Sequence, residues 1–511
     1  MLKMFEGYVT EIDYIPWYHR NLAPLLLRAA ARNHPISLPT GRPLRYLELG
    51  YGNGGIALNI HAAASPGEYW GIDVNPSHVA SANILADASG SGLRVLGGSF
   101  ADLLNRHDLP RFDVIGMHGV WSWISAANRK AIVELLGRKL VDGGMFYVNY
   151  NAMPGSAAIV PLQRLLRLHT QTSGGGGTIL EKLGTAIGFA GALRRAGSRY
   201  FSEGGPAAER IESFEAADPA YLCHEYLNEN WEVLSFAEMA QTLSEAGLYF
   251  GASANLLDQF DDLNFSTEGM ALLDSIEDPC VRETARDFLR NREYRTDIFI
   301  KGDATAPLPE GEGADLDLEF VLALPAVSWP KAVEAPIGQI DLSGTPFVGI
   351  LNLLREEKCG ALSLRSIVAQ IPPEAAGKVE IVRALMILVH AGIVYLAQPR
   401  GLIDRAVGPC SRLNEQLLRW SMAGQKVDAL ASPVTGGGVR VSRNQQLFLL
   451  ALRQGAHTAD EWARFAWDVR AKEKSDRGLA RPAGDPIAVA ILKEALVFDR
   501  FLPILTALKL V

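Results

Sequence analysis

Residues 46–60 read YLELGYGNGGIALNI: Tyr46-Leu47-Glu48-Leu49 is an apolar run carrying one carboxylate, Gly50-Tyr51-Gly52-Asn53-Gly54-Gly55 is a glycine cluster, and Ile56 to Ile60 starts a helix. A strand, a tight turn and a helix start in that order let backbone approach a ligand closely, because glycine tolerates positive φ and a helix N-terminus offers free N–H groups. The glycines satisfy two templates. Gly50-x-Gly52-x-x-Gly55 fits the dinucleotide fingerprint, and Glu48-x-Gly50-x-Gly52-x-Gly54 fits a loop that grips S-adenosylmethionine (SAM). The neighbouring sequence has to choose between them.

Working outward, residues 44–158 alternate short apolar runs with helical stretches, the pattern of an α/β sheet domain. Strands are expected at Arg45–Leu49, Tyr69–Asp73, Arg94–Gly98, Phe112–Met117 and Met145–Asn149. Residues 1–43, with a Leu-rich stretch between Ile15 and Arg32, read as an N-terminal helical segment. Residues 159–213 read as a helical hairpin broken by "QTSGGGGTIL" and form a candidate homodimer contact. Residues 214–302 read as mixed α and β, and 303–316, rich in Pro, Gly and acids, as a linker. Within 317–511, Phe347 to Leu396 reads helix, helix, helix, strand, an order that fits a winged-helix-like module. A further helical unit is expected from about Ser411, interrupted at 432–439.

Composition narrows the class. At 511 residues the chain exceeds one core, and 48% hydrophobic with 21% charged residues is ordinary for a globular enzyme. A net charge of −8 argues against a nucleic-acid binder. Cys223, Cys280, Cys359 and Cys410 form no C-x-x-C pair, so neither a disulfide framework nor a metal site is expected. With no long apolar core near Met1 and no membrane-length apolar run, a cytoplasmic location is expected.

"YWGIDVNPSHVASA" places Asp73 about twenty residues beyond the glycine loop, where a carboxylate can accept from ribose hydroxyls. NAD and SAM both accommodate it. Three features favour SAM. Glu48 precedes Gly50 by two positions, where an acid can organise the loop or reach the ligand's amino group. "GGSFADLL" sets Ser99 and Phe100 where an adenine can be hydrogen-bonded and stacked. "FDVIGMHGVWSWIS" ends the fourth strand in a polar and aromatic loop.

These residues resemble the class I SAM-dependent methyltransferases, and more narrowly the bacterial group with a methyltransferase regulatory domain that includes the rickettsial protein lysine methyltransferases. The resemblance rests on "ELGYGNGG", "GIDVNP", "GSFADL", "FDVIGMHGVWSWIS" and "VNYNAMPG", and continues in "LCHEYLNENW", "FAEMAQTLSEAGLYF" and "NREYRTDIFIKG". It implies a doubly wound Rossmann-like SAM-binding sheet domain at 44–158 and an α+β regulatory domain at 214–302, ahead of a mainly helical, winged-helix-like C-terminal region. Two departures stand out: Tyr51 occupies a position where a small residue or Cys is common, and Ser99 replaces an acid often found near adenine.

The candidate cofactor-binding residues are Glu48, Gly50, Gly52, Gly54, Asp73, Ser99, Phe100 and His118. Methyl transfer requires positioning, exclusion of water and an acceptor lone pair, so a lysine acceptor must lose a proton. Polar and aromatic groups at two strand ends are the candidate catalytic set: His118 and Trp121 after the fourth strand, Asn149 and Tyr150 after the fifth. Trp121 and Trp123 alternate, which turns one of them toward the core. His224-Glu225-Tyr226 reads more readily as a domain contact than as an acid–base cluster. Arg292, Arg295 and Asp297 read as a salt-linked strand edge. The expected function is SAM-dependent methylation of a protein, at lysine. The alternatives are a small-molecule or glycan methyltransferase and a SAM-binding regulator without turnover.

Overall fold

The computed structural model describes residues 4–36, 39, 42–172, 177–305, 318–357, 360–476 and 486–511. The linker expected at 303–316 and the glycines at 174–176 fall largely outside the described residues.

The main sheet joins seven strands: β1 (Leu44–Leu49), β2 (Gly67–Asp73), β3 (Arg94–Gly97), β4 (Phe112–Met117), β5 (Leu140–Asn151), β6 (Leu248–Ser253) and β7 (Tyr294–Lys301). Their spatial order is β3-β2-β1-β4-β5-β7-β6, with β1 to β5 parallel and β7 antiparallel to both its neighbours. The strand order reverses between β1 and β4, so the carboxyl ends of these strands open a crevice there. The five expected strands lie where the sequence places them; β5 is longer because Leu140 and Asn151 continue the ladder.

β6 and β7 come from the stretch expected as a separate middle domain. They instead complete the sheet, since Met145 to Asn151 of β5 pair residue for residue with Ile300 to Tyr294. A second correction concerns residues 1–43. A two-strand hairpin (Met4–Phe5 with Tyr8–Val9) and extended chain lead to a short helical turn at Arg20–Leu22, and the one α-helix among the described residues of this stretch is Pro24–Ala30. Tyr14, Pro16, Trp17 and Tyr18 are aromatic or imino residues with low helix propensity, and tertiary contacts hold this stretch extended.

Helix Ile56–Ala64 is buried at all nine residues. Its sequence IALNIHAAA is apolar on every side, and such a helix needs cover on both faces. The sheet supplies one cover. The other is the 23-residue helix Arg400–Met422, where Cys410 approaches Ala63 O, Leu413 and Leu417 share a core with Ile56 and Ile60, and Arg412 donates to Ser89 O of the neighbouring helix Pro76–Ser89 (2.7 and 3.0 Å). The terminal helical unit thus begins near Arg400, ahead of the expected Ser411. The expected interruption at 432–439 is a hairpin of Ala429–Ser432 with Gly437–Arg440. On the opposite sheet face lie helices Phe100–Leu104, Ala126–Lys139 and Phe236–Ser244. Helices Phe347–Glu356, Leu364–Gln370 and Lys378–His390 followed by strand Val394–Ala397 appear in the expected order, and their small sheet is closed by Glu319–Leu322, a strand preceding the helices.

Candidate active site

The crevice at the carboxyl ends of β1 to β4 is a cavity of about 440 Å³, within the size range of small-molecule sites. Its sheet-side wall is Glu48 with Gly50, Tyr51 and Gly52 after β1; Asp73 and His78 after β2; Gly98, Ser99 and Phe100 after β3; and His118 and Gly119 after β4.

Backbone forms much of this wall. Gly52 has φ 70° and ψ −166°, a region open essentially to glycine, and a Cβ there would meet no protein atom within 4 Å. Gly50, at φ 71°, has the side chain of Val120 against it, so a Cβ would collide at 2.7 Å. Asp73 fixes the loop: Gly52 N donates to one carboxylate oxygen at 2.9 Å, Asn75 N to the other at 2.9 Å, and His78 Nδ1 lies 3.2 Å from the latter. Asn75 caps the next helix through Ser77 N, and Pro76 occupies its first position.

Glu48 is buried beside Tyr46, whose hydroxyl donates to it at 3.3 Å; withdrawal from water pushes its carboxyl up to about 8. His118 stacks on His19 with ring centroids 3.6 Å apart, and burial drives both histidines toward the neutral form, His19 to about 4. The Tyr147 hydroxyl lies 2.7 Å from His118 Nδ1, where a neutral ring can accept its proton. Asn149 carries no surface of the cavity; its Oδ1 accepts from Gly119 N at 2.5 Å and its amide contacts the His118 ring and the Tyr294 hydroxyl. Ser99 caps helix Phe100–Leu104 in a reciprocal box with Asp102, which brings an acid next to the position where Ser99 replaces one.

The facing wall comes from elsewhere in the chain. Tyr8, Tyr14, Trp17 and His19 of the N-terminal segment, Arg210, Tyr221 and Glu225 of two helices, and Tyr294 at the start of β7 close the cavity. Asn53 Nδ2 donates to Tyr14 O (3.0 Å), Ser77 Oγ to Asp13 (2.5 Å), Asn128 Nδ2 to Glu6 (2.7 Å) and Val9 N to Asn228 (2.9 Å), so the segment is tied to both sides of the crevice.

The matches to known proteins follow this geometry. Residues 47–146 match the methyltransferase domain family, and residues 218–301 match the predicted methyltransferase regulatory domain. An uncharacterized protein of Synechocystis sp., sll1526, is 31% identical over 467 residues, covering 91% of this chain and 90% of the relative. The chain belongs to the SAM-dependent methyltransferases that carry a methyltransferase regulatory domain. An uncharacterized Rickettsia prowazekii protein, RP028, is 24% identical over 221 residues, 43% of this chain and 86% of that one. In fold, the structure of PKMT2 from Rickettsia typhi in complex with AdoHcy aligns with a TM-score of 0.66 at 16% identity, covering 96% of this chain and 99% of that one.

The residues of this methyltransferase fit a SAM-sized ligand: glycine backbone faces open space at Gly52, and the Tyr51 hydroxyl is buried in the cavity wall without a hydrogen-bond partner. Of the expected cofactor residues, all but Gly54 line the cavity. Gly54 is turned away, with Ile56 and Trp420 nearest the place of a Cβ. Three of the expected catalytic residues do not line the cavity. Asn149 stands behind it, holding Gly119 N and the His118 ring. Tyr150 faces the opposite side of β5 from Tyr147 and Asn149, donating to Asp297 at 3.0 Å within a buried cluster with Arg295; strand alternation puts it there. Trp121 is the core member of its pair, edge-on to Phe146, whereas Trp123 lines the cavity and stacks on Trp231 at 5.6 Å. The missed residues are Tyr8, Tyr14, Trp17, His19, Tyr221 and Tyr294, and Glu225, weighed with His224 and Tyr226 as an acid–base cluster and read instead as a domain contact, also lines the cavity. The aromatic density of "YVTEIDYIPWYH" is the signal for the first four; for Glu225 the sequence offers only its place between His224 and Tyr226.

Proposed function

We propose that this methyltransferase methylates the side-chain amine of lysine in a protein. The observation that carries the reading is the contrast across the cavity: a glycine and carboxylate wall suited to SAM faces a wall of tyrosines with Glu225 among them, suited to the stem and charge of an ammonium. The resemblance to rickettsial protein lysine methyltransferases supports it. On this reading Glu48, Gly50 and Gly52 hold the amino-acid end of SAM, Asp73 the ribose, Ser99 and Phe100 the adenine, with His118 held neutral beside the methyl. Bound SAM supplies a methyl group on a sulfonium, which the acceptor's lone pair displaces. The chain's own groups position the acceptor and keep water out; the N-terminal segment does the latter by bridging the crevice. The domains are read as 44–158 for SAM binding, completed by the two strands of 214–302, with the winged-helix-like part of 317–511 as the surface for a macromolecular acceptor.

The test is incubation with methyl-labelled SAM and an extract of the source cells. Label recovered as methyllysine after digestion of protein supports the reading. Label confined to small molecules replaces it with a small-molecule or glycan enzyme, and binding of SAM with no label anywhere replaces it with a regulator.

A further inference from the structure

Five residues of the facing wall converge from three separate parts of the chain: Tyr8 and Tyr14 from the N-terminal segment, Tyr221 and Glu225 from helix Pro219–Tyr226, and Tyr294 from β7. The rings of Tyr14 and Tyr221 lie 6.4 Å apart. Glu225 lines the cavity with them; burial is the main cause that raises the pKa of Tyr8, Tyr14, Tyr221 and Tyr294, and the charge of Glu225 adds to it in each. Resting on the lysine reading above, we propose that these tyrosines form the acceptor's ammonium subsite and that Glu225 is the base that takes its proton.

The chemistry suits the position. An alkylammonium arriving there exchanges water for tyrosine faces and a carboxylate. Glu225 accepts one proton from the lysine Nζ; the freed lone pair forms the N–C bond to the methyl carbon; the C–S bond breaks with its electrons remaining on sulfur; the proton then leaves Glu225 for solvent. Burial pushes the Glu225 carboxyl up to about 7, against the pull of Arg210, which matches a base acting near neutrality. The other charged and titratable groups of the cavity have partners. Glu6 accepts from Asn128 Nδ2 at 2.7 Å, and Glu48, on the sheet side, accepts from the Tyr46 hydroxyl. Arg210, on helix Pro206–Ser213, is paired with Glu293 at 2.7 Å. His224, on the same helix as Glu225, is directed to Ile12 O at 3.0 Å and held neutral. Tyr226 also interacts with Arg210. Asp73 is committed to the glycine loop. Glu225 is therefore the carboxylate of this wall left facing the tyrosines.

The probe is Nα-acetyl-Nε-trimethyllysine amide, a fixed cation that cannot be methylated, titrated by calorimetry into the full chain with S-adenosylhomocysteine present. The wild type is expected to bind it above pH 7 and to lose about tenfold in affinity as pH falls from 8 to 5.5, because Glu225 takes up a proton. Glu225→Gln is expected to bind it about tenfold more weakly at pH 8, with no pH dependence and with unchanged affinity for S-adenosylhomocysteine. In the methylation assay the acidic limb of the kcat profile near pH 7 is expected to disappear in this variant. If Glu225→Gln does not fold, the wild-type titration is compared with that of Glu48→Gln, because Glu48 of the same cavity is raised to about 8: a pH dependence that survives in Glu48→Gln supports Glu225, and one that disappears overturns its role. Binding that is pH-independent in the wild type, or equal in the variant, overturns the role of Glu225 and leaves the lysine reading standing. A wild type that ignores this cation and binds the uncharged Nα-acetyl-norleucine amide as well or better overturns both.

Discussion

On the sheet side of the cavity the ligand meets backbone and short polar groups: Gly50, Gly52, Gly98 and Gly119, with Glu48, Asp73 and Ser99 at strand ends. Across from it stand large side chains, Tyr8, Tyr14, Trp17, Tyr221 and Tyr294, carried by an extended segment, a helix and a strand end that are far apart in sequence. The first wall is rigid because seven strands hold it, and it makes few demands on side chains. The second has its shape only once the N-terminal segment is tied down by Asn53, Ser77, Asn128 and Asn228. A cofactor common to a whole family suits the first kind of wall, and an acceptor particular to one enzyme suits the second.

This division can be broken most sharply at Gly52. Gly52→Val forces a side chain into the cavity from a backbone conformation closed to it, and SAM affinity is expected to fall at least about 100-fold in calorimetry, roughly 2.7 kcal/mol. Normal SAM binding by this variant would falsify the sheet-side assignment. Tyr14→Leu probes the opposite wall. Turnover is expected to drop about tenfold while SAM affinity stays within about twofold, and a parallel fall in both would show that the walls are not separate.

Acid acts through buried histidines, His118 of the sheet-side wall included. His19 and His224, both in or behind the acceptor wall, are lowered by burial to about 4, and His61 to about 3. Their unfolded counterparts protonate near 6.5, so the unfolded state binds more protons between the two values, and stability is lost as pH falls from about 6.5 to about 4. Glu48 and Glu225, raised by burial to about 8 and about 7, act in the opposite direction over this range, so the readout is the difference between proteins: on going from pH 7 to pH 5 the melting temperature of His19→Gln is expected to change more favourably than that of the wild type. An equal change in the variant would remove His19 from this account.

Smaller effects are expected from residues outside the contest. Tyr150→Phe removes one buried hydrogen bond to Asp297 and is expected to cost about 1 kcal/mol of stability with turnover unchanged. A fall in turnover at equal stability would return Tyr150 to the site. Ser99→Ala loses a helix cap, worth about 0.5–1 kcal/mol; a drop in SAM affinity beyond about threefold would add a direct ligand contact to that role.

What local sequence determines here is the sheet-side wall. Strand, glycine turn and helix at 46–60, the carboxylate at 73 and the capping pair Asn75-Pro76 are neighbours in the chain, and the physics that places them acts within a few residues. The same holds for the strand positions. Trp121 and Trp123 part for another reason than alternation: they sit on a 3-10 turn of about three residues per turn, which points residues two apart in different directions. Tertiary structure decided the rest. Which face of β5 Tyr150 takes depends on the register of that strand in the sheet, and β7 fixes it by pairing Asn149 with Thr296 and Tyr150 with Arg295. Residues 214–302 join the main sheet because β5 has a free edge, a long-range pairing that no local pattern announces. The tyrosine wall meets around Glu225 because residues 4–19 are held across the crevice by side chains as distant in sequence as Asn228 and Asp428. A stretch with neither helical nor strand periodicity takes its conformation from those contacts, so its aromatic residues were visible in the sequence and their common destination was not.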